Sequence, residues 1–190
     1  MEWAVLSYIK SKFSDVNHIS TDDLEKRNFG STCDFEIPST KDETEQKHAI
    51  IDCRRQDEYE VSHIPGAKHV HFQIKDEELK KVLLEETENI SNTDHDELNI
   101  VCYCSLGYRS SILARRIQSF AKDDPDLSDR NIKAWNLEGS IFKWANESRR
   151  MIDLNEKSTK FAHPFSYTFC MFLQKQYWKW TPDVNNESIK

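Results

Sequence analysis

The sequence predicts an α/β fold in which helices flank a mostly parallel sheet. Short apolar runs that suit buried strands alternate with segments whose apolar residues recur at helical spacing. Such alternation is typical of crossover units around a parallel sheet. In open sheets of this kind the reactive crevice lies beyond the carboxyl ends of the strands. The residues that directly follow each predicted strand are therefore the first candidates for a functional site.

Length and composition limit the classes of protein to which this chain can belong. Its 190 residues suit one domain with additions at the ends. The formal net charge of −7 argues against a nucleic-acid partner, because such binding depends on Lys and Arg that neutralise phosphates. No apolar run approaches the roughly 20 residues that a transmembrane helix needs. We therefore expect neither nucleic acid binding nor a transmembrane segment.

The N-terminus and the cysteines favour a reducing compartment. The acid at Glu2 and the lack of a basic opening argue against a secretory signal or a transit peptide. The five cysteines are odd in number and irregularly spaced, unlike the framework of a secreted disulfide-rich protein. They are Cys33, Cys53, Cys102, Cys104 and Cys170. We expect a cytoplasmic protein.

Two helices and a polar loop are predicted before the first strand. Apolar residues at helical spacing predict an amphipathic N-terminal helix within residues 1–16. These residues are Val5, Leu6, Ile9 and Phe13. Ser20 or Thr21 suits the N-cap of a second helix, because acids follow in its first turn. Residues 30–47 are mostly polar and predict an exposed loop.

The middle of the chain supplies the elements of the predicted sheet. The predicted strands are 49–53, a short strand at Val70 and Phe72, 98–103 and 132–137. The predicted helices are 56–61, 79–90, 112–121 and 138–147. Each strand is followed by a helix, as a parallel arrangement requires.

The segment after the strand at 98–103 is the strongest candidate for a site. The strand delivers Cys104 to its carboxyl end, and a short loop with Gly107 and Arg109 then leads into an amphipathic helix. A loop that curls over a sulfur and enters a helix points backbone N–H groups inward, and these groups favour negative charge. Gly107 permits a positive φ in such a loop at little steric cost.

These surroundings predict an ionised and reactive thiol at Cys104. A free cysteine titrates near pH 8.5, and a decrease of roughly two units would leave it mostly ionised at neutral pH. The thiolate is a nucleophile, and a sulfur atom that it accepts leaves a persulfide. An isolated cysteine is more often a small buried apolar residue. The combination of strand, Cys, Gly, Arg, two Ser and amphipathic helix favours the functional interpretation.

Three segments of the chain resemble the rhodanese homology domain. Residues 51–67 resemble its first signature, an Asp-x-Arg strand end, a Glu-aromatic pair and a Gly-His-Ile-Pro-Gly-Ala turn. Residues 101–110 resemble the active-site loop, and residues 137–144 resemble the closing Leu-x-Gly-Gly…Trp motif. The resemblance covers about residues 17–147. Ser62 and Ser140 stand where the family usually has glycine, and we expect both to alter the backbone only slightly.

The resemblance implies a rhodanese-like fold, with about five strands and helices on both faces, and a sulfurtransferase activity. Cys104 would be the catalytic residue and would carry a persulfide. The active-site loop that binds the substrate would consist of Ser105, Leu106, Gly107, Tyr108 and Arg109. Sulfane sulfur would pass from a donor, thiosulfate or a persulfide, to an acceptor such as cyanide or a thiol. A protein sulfur donor or acceptor is also open, and no cofactor is implied.

Supporting residues are proposed around this loop. Asp52 and Arg54 either form an ion pair that orders the strand end or act closer to the chemistry. His63 more plausibly shapes the Ile64-Pro65-Gly66 turn by hydrogen bonding than shuttles protons. Ser110 follows Arg109 and is included in the supporting set. Cys102 is interpreted as a buried structural thiol, with a resolving role as the alternative.

Three other functions compete with sulfur transfer. Cysteine phosphatases and arsenate reductases of related fold resemble a Cys-x5-Arg pattern, whereas only four residues separate Cys104 from Arg109. A weakly active regulatory or docking module is a second alternative, against which the retained Cys104, Gly107 and Arg109 argue. A metal site is a third, but His69-x-His71 and Cys102-x-Cys104 lack the spacing of structural zinc sites. We expect no metal.

Residues 148–190 are expected to be an aromatic-rich extension. Aromatic and apolar residues recur at helical spacing between residues 165 and 180 and predict a helix. Such an aromatic stripe is not normally left in water. It would pack on the domain, for example against the N-terminal helix, form a dimer interface or attach to a membrane surface. The chain is thus expected to be a monomer or a homodimer.

Overall fold

The computed structural model describes residues 2–30, 48–90 and 97–181. Along the chain its elements are α1 (Glu2–Lys12), β1 (Asn17–Ile19), α2 (Thr21–Phe29), β2 (Ala49–Asp52), α3 (Gln56–Val61), β3 (Lys68–His69), α4 (Asp76–Ile90), β4 (Leu98–Tyr103), α5 (Tyr108–Asp123), β5 (Ile132–Leu137), α6 (Ser140–Asn146), β6 (Met151–Ile152) and β7 (Ser158–Thr159). Two short 3-10 turns follow at Cys170–Phe172 and Lys175–Tyr177. The predicted exposed loop at 30–47 lies, apart from Gly30, outside the described residues, as does Cys33.

The main sheet has five parallel strands in the order β1-β5-β4-β2-β3. Every residue of β4 is buried, which accounts for its almost continuous apolar run at the centre of the sheet. The register places Asp52 of β2 beside Tyr103 of β4. β2 and β4 therefore end at the same edge, and the residues that follow them lie side by side.

Alternate residues of the central strands point into two separate apolar cores. Ile100 and Cys102 face a core that also contains residues of α1, α4 and α5. Val101 and Tyr103 face a second core with residues of α2, α6 and the C-terminal extension. The prediction of a largely parallel sheet with helices on both faces is confirmed.

Two strands differ from the sequence prediction. The strand expected at Val70 and Phe72 lies two residues earlier, at Lys68–His69, although the amides of Val70 and Phe72 still donate to carbonyls at the end of β2. β1 was not predicted, because its three residues include one buried side chain, Ile19, and form no apolar run. Its pairing with β5 is a tertiary contact that no local pattern indicates.

All of the predicted helices up to residue 147 are present, with small shifts at their ends. α2 begins at Thr21, and the Ser20 hydroxyl oxygen accepts a hydrogen bond from the amide of Asp23 at 3.0 Å. α5 begins at Tyr108, four residues before the predicted start at residue 112. Arg109 and Ser110 therefore lie in the first turn of a helix, directly beside the cysteine loop.

The predicted helix at residues 165–180 is wrong. The only helical turns in this segment are the two 3-10 turns. Near its end, residues 177–179 pair through their backbone with Ala162. The segment's other backbone bonds are those of short turns, and the Asn146 side chain binds the carbonyl of Phe172 and the amide of Gln174 between the two turns, both at 2.8 Å. Aromatic residues are also weak helix formers.

The C-terminal extension packs against the second core. Leu173 and Tyr177 are buried there, and Phe165, Phe172 and Trp178 are half-buried against it. The suggested contact with the N-terminal helix is wrong, because Ile9 and Phe13 belong to the core on the opposite face of the sheet. In the described part of the chain no helix is long and apolar enough to cross a membrane.

Candidate active site

Cys104 lies immediately after β4, and α6 anchors the start of its loop. The Cys104 amide donates to the Ser140 hydroxyl at 3.1 Å. The carbonyls of Cys104 and Ser105 accept from the amides of Ile141 and Phe142 at 3.1 and 3.2 Å. Ser140 has φ 52°, a left-handed conformation that suits the glycine it replaces. The serine at this position thus adds a hydrogen bond to the backbone of the candidate nucleophile.

Gly107 turns the loop so that its amide faces the sulfur. Its φ of 114° is accessible to glycine and strained for other residues. The Gly107 N–H donates to Cys104 Sγ at 3.1 Å. A Cβ at this position would lie 3.3 Å from Asn136 Nδ2, so the packing around the loop also favours glycine.

Ser110 lies in the first turn of α5, and its hydroxyl contacts the same sulfur. Its Oγ lies 3.5 Å from Cys104 Sγ and 2.6 Å from Asn136 Oδ1. A hydroxyl has one proton to donate, so the shorter contact with Asn136 holds it when the sulfur carries no charge. A charged sulfur competes for that proton, because hydrogen bonds to ionised acceptors are stronger.

Arg109 is bound to a buried carboxylate that the sequence analysis did not include in the site. Glu58 of α3 accepts from Arg109 Nη1 at 2.7 Å and Nη2 at 2.8 Å, and its side chain is fully buried. The Ser105 hydroxyl donates to Glu58 at 2.9 Å and accepts from Arg109 Nη2 at 2.9 Å. Burial alone would raise the pKa of Glu58, but the bonds and charge of Arg109 outweigh it and lower that pKa to about 2.

Asp52 and Arg54 form a buried ion pair at the end of β2. Arg54 Nε donates to Asp52 Oδ1 at 2.9 Å, and Nη2 donates to Oδ2 at 2.6 Å. The same Nη2 donates to the carbonyl of Ser62 at 2.6 Å, so the pair also fixes the end of α3. The structure therefore places both residues in contacts that order the strand end; a direct part in the chemistry stays a prediction.

His63 lies in the turn that follows α3. Its ring stacks on Tyr59 at 4.1 Å, and its backbone pairs with Ile152 through bonds of 2.9 and 3.0 Å. Burial lowers the pKa of His63 below its ordinary value, so the ring is neutral at neutral pH. These contacts belong to the turn, and the supporting role of His63 stays a prediction.

The remaining loop side chains point in different directions. Leu106 is buried in the second core. Tyr108 is exposed, meets Phe13 edge to face at 5.3 Å and accepts from Lys12 Nζ at 2.8 Å. The N-terminal helix therefore supplies a cation at the rim of the loop, through a contact that the sequence analysis did not predict.

Cys53 is a second thiol beside Cys104, although it was not among the predicted site residues. Its amide donates to the Tyr103 carbonyl at 3.0 Å, so the pairing of Asp52 with Tyr103 continues to Cys53 and Cys104. Both side chains face the first core, and the Cys53 thiol lowers the pKa of Cys104. Burial and the neighbouring sulfur raise the pKa of Cys53 well above its ordinary value. The available signal was a cysteine directly after each of two strands that end at one edge.

The surroundings of Cys104 favour its thiolate. Burial by itself would raise its pKa, but the Cys53 thiol, the Arg109 charge and the hydroxyl and amide of Ser110 lower the pKa well below the ordinary value. Cys102 lies one full strand repeat deeper, and burial raises its pKa. The directions of these shifts favour a negative charge on Cys104 over one on Cys53 or Cys102.

The shape of the site limits what can reach this sulfur. Cys104 is 2% exposed, and Ser105 and Leu106 beside it are also buried. A buried nucleophile under a short loop suits the transfer of a single atom better than that of a bulky group. Within the described residues no group of three or more His, Cys, Asp or Glu forms a metal cluster.

Comparisons with known proteins agree with this geometry. The family model described as "Rhodanese-like domain" matches residues 38–147. A search among curated proteins found no match.

Three similar solved structures illustrate the likeness. Saccharomyces cerevisiae Ygr203w, described as a homolog of single-domain rhodanese and Cdc25 phosphatase catalytic domain, has 16% identity and a TM-score of 0.49 over 70% of this chain and 82% of that one. Pseudomonas aeruginosa thiosulfate sulfurtransferase has 15% identity and a TM-score of 0.48 over 80% of this chain and 23% of that one. Bacillus halodurans BH2092 has 17% identity and a TM-score of 0.47 over 77% and 84%.

The family model spans more than half of the chain, and the parallel sheet with the cysteine loop after its central strand lies within that span. The chain belongs to the rhodanese-like domain family.

Proposed function

We propose that this protein is a sulfurtransferase that carries sulfane sulfur as a persulfide on Cys104. The observation that carries the proposal is the set of donors around one buried sulfur. The Gly107 amide lies 3.1 Å from Cys104 Sγ, and the Cys53 thiol and the Arg109 charge also stabilise the thiolate. These groups would equally stabilise the negative terminal sulfur of a persulfide.

The proposed reaction is a double displacement. The Cys104 thiolate attacks the outer sulfur of a donor such as thiosulfate, the donor S–S bond breaks, and sulfite leaves with the bonding electron pair. An acceptor thiolate or cyanide then attacks the terminal sulfur of the persulfide. The new S–S or S–C bond forms on the acceptor, and the Cys104 thiolate is restored.

The contacts of Arg109 favour sulfur transfer over phosphoryl or arsenate chemistry. A phosphatase needs its loop arginine to bind two oxygens of the phosphate with its planar fork of N–H groups. Here both Nη atoms of Arg109 are bound to Glu58, whose carboxylate is fully buried. The loop also contains four residues between Cys104 and Arg109, which forms a small ring. We therefore place the phosphatase function second.

The neutralised loop also favours a weakly charged donor. Ser105, Leu106 and Tyr108 carry no charge, Arg109 is paired with Glu58, and the cation at the rim of the loop, Lys12, is exposed to water. Thiosulfate is a dianion and would gain from unpaired cations. We expect a thiol-bound persulfide, such as glutathione persulfide, to be turned over faster than thiosulfate. Equal rates with the two donors would contradict this preference.

Mass spectrometry of the intact protein tests the proposed reaction. After exposure to glutathione persulfide or thiosulfate, the wild-type chain should gain one sulfur atom on Cys104, and an added thiol should remove it. Cys104→Ser should gain none, whereas Cys170→Ser should behave as wild type. Sulfur uptake by Cys104→Ser, or hydrolysis of an aryl phosphate in preference to sulfur transfer, would overturn the proposal.

A further inference from the structure

The C-terminal extension reaches the active-site loop from outside the part of the chain that the family model matches. The model ends at residue 147, and residues 162–165 return along the protein to α3 and α5. The Ala162 amide donates to the Tyr177 carbonyl at 2.7 Å, and its carbonyl accepts from Lys179 at 3.1 Å. Ala162 and the two residues after it are buried, so this segment has a defined position.

Phe165 is held in an uncommon backbone conformation at the end of this segment. Its φ is 65°, in the left-handed region that bulky residues rarely adopt. Its N–H donates to His163 Nδ1 at 3.1 Å, and the His163 ring is buried against the edge of Trp180 at 5.3 Å. Strained residues persist only where several contacts determine them. The contacts here direct the Phe165 ring toward the site.

The Arg109 guanidinium lies over the ring of Phe165. Arg109 Cζ lies 4.4 Å from the ring centroid, well within the range of a cation–π contact. The edge of the guanidinium is bound to Glu58 and Ser105, and only 13% of the Arg109 side chain is exposed. The ring and the two hydrogen-bond partners together fix the plane and the position of the charge.

We propose that Phe165 is a positioning residue of the active site, which holds the Arg109 guanidinium against Ser105, the residue next to Cys104, and shields it from water. The C-terminal extension is then part of the working site as well as a cover for the core. The role deepens the proposed function and rests on it. Without the ring, water reaches the guanidinium and weakens its electrostatic interaction with the thiolate.

Three substitutions separate this role from simple packing. Phe165→Ala removes the ring, Phe165→Leu keeps apolar bulk without a π face, and Phe165→Tyr keeps the π face. Tyr167→Ala is the matched control, because Tyr167 lies in the same segment, is 85% exposed and stacks on Trp180. The pH profile of Cys104 alkylation by iodoacetamide and the rate of sulfur transfer from glutathione persulfide are measured on each full-length variant.

We expect the Ala and Leu variants to move the alkylation midpoint to higher pH and to slow sulfur transfer by about threefold to tenfold. Phe165→Tyr and Tyr167→Ala should behave as wild type. A Leu variant that matches wild type, or a Tyr variant that fails as Leu does, would overturn the inference. If Phe165→Ala does not fold, the comparison of Phe165→Leu with Phe165→Tyr still tests the inference.

Alkylation requires no sulfur transfer, so the two readouts separate the two proposals. If the variants show the expected alkylation shifts but the wild-type chain transfers no sulfur, the proposed function is contradicted and the placement of Arg109 by Phe165 stands. Normal sulfur transfer with no shift in any variant would contradict the inference alone.

Discussion

Cys104 owes its charge to groups from separate parts of the chain. The Gly107 amide belongs to its own loop, the Cys53 thiol follows β2, and Arg109 lies in the first turn of α5. Each donor acts at short range on a sulfur that burial would otherwise keep protonated. Removal of any one donor should therefore raise the pKa of Cys104 and reduce the fraction of thiolate at neutral pH.

Cys53→Ala tests the contribution of the neighbouring thiol. The Cys53 thiol lowers the pKa of Cys104, so in this variant the midpoint of the alkylation profile should move to higher pH. Sulfur transfer should slow most strongly on the acidic side of that midpoint, because the thiolate fraction falls as pH decreases through the pKa. Cys102→Ala is the control, since Cys102 lies one strand repeat away from the site. An equal shift in both variants would mean that core packing, and not the donor, sets the pKa.

Glu58→Gln tests the buried carboxylate that orients Arg109. We expect a loss of about 3 kcal/mol in the free energy of unfolding, because the change leaves the Arg109 charge unpaired. Urea unfolding measures the loss, with Glu60→Gln on the exposed face of α3 as the control. A loss no larger than that of the control would contradict the structural role of the pair.

The same carboxylate makes the stability of the fold depend on pH. The pKa of Glu58 is about 2 in the folded chain, below its ordinary value of 4.5. Its contribution to the free energy of unfolding is therefore fully present above pH 4.5 and is lost as the pH falls toward 2. The difference in stability between wild type and Glu58→Gln should shrink over that interval, and a constant difference would contradict the assignment.

At the scale of elements, the loop depends on how β4 is joined to α5. Gly107 is the N-cap of α5 and adopts a left-handed conformation, which turns the chain within a few residues. The helix then begins early enough to bring the hydroxyl of Ser110 to 3.5 Å from the sulfur. α6 binds the loop carbonyls from the other side. The candidate nucleophile is thus enclosed by the first turns of two helices.

Gly107→Ala should disrupt this connection. The alanine would be strained at φ 114° and its Cβ would press on Asn136, so we expect a loss of about 2 kcal/mol in stability and a strong decrease in sulfur transfer. Gly66→Ala is the control, because Gly66 also has a positive φ, of 76°, but no heavy atom lies within 4 Å of its added Cβ. Equal losses of sulfur transfer in the two variants would show that strain anywhere in the fold suffices.

At the scale of the whole molecule, the C-terminal extension completes the second core. Leu173 is 2% exposed and Tyr177 is 9% exposed, and both lie with Trp144 of α6 in that core. Without the extension, the part of this core that Leu173 and Tyr177 cover would meet water. We therefore expect the extension to unfold together with the domain in one transition.

Leu173→Ala should lower the free energy of unfolding by about 3 kcal/mol, because it leaves a cavity in the core. Met171→Ala is the control, since Met171 is 60% exposed in the same turn. Urea unfolding followed by fluorescence measures both. Equal and small effects, or fast hydrogen exchange across residues 161–180 in the monomer, would contradict the packing of the extension.

The sequence by itself determined the parallel α/β architecture and the candidate nucleophile, because both depend on local patterns. An almost continuous apolar run identifies β4, and the glycine and arginine after Cys104 identify an anion-binding loop. Only the tertiary structure decided which side chains meet that loop. The pairing of Glu58 with Arg109, the thiol of Cys53 and the ring of Phe165 join residues that are distant along the chain. Such contacts depend on strand register and on the path of the extension, and aromatic spacing alone predicted a helix there that does not exist.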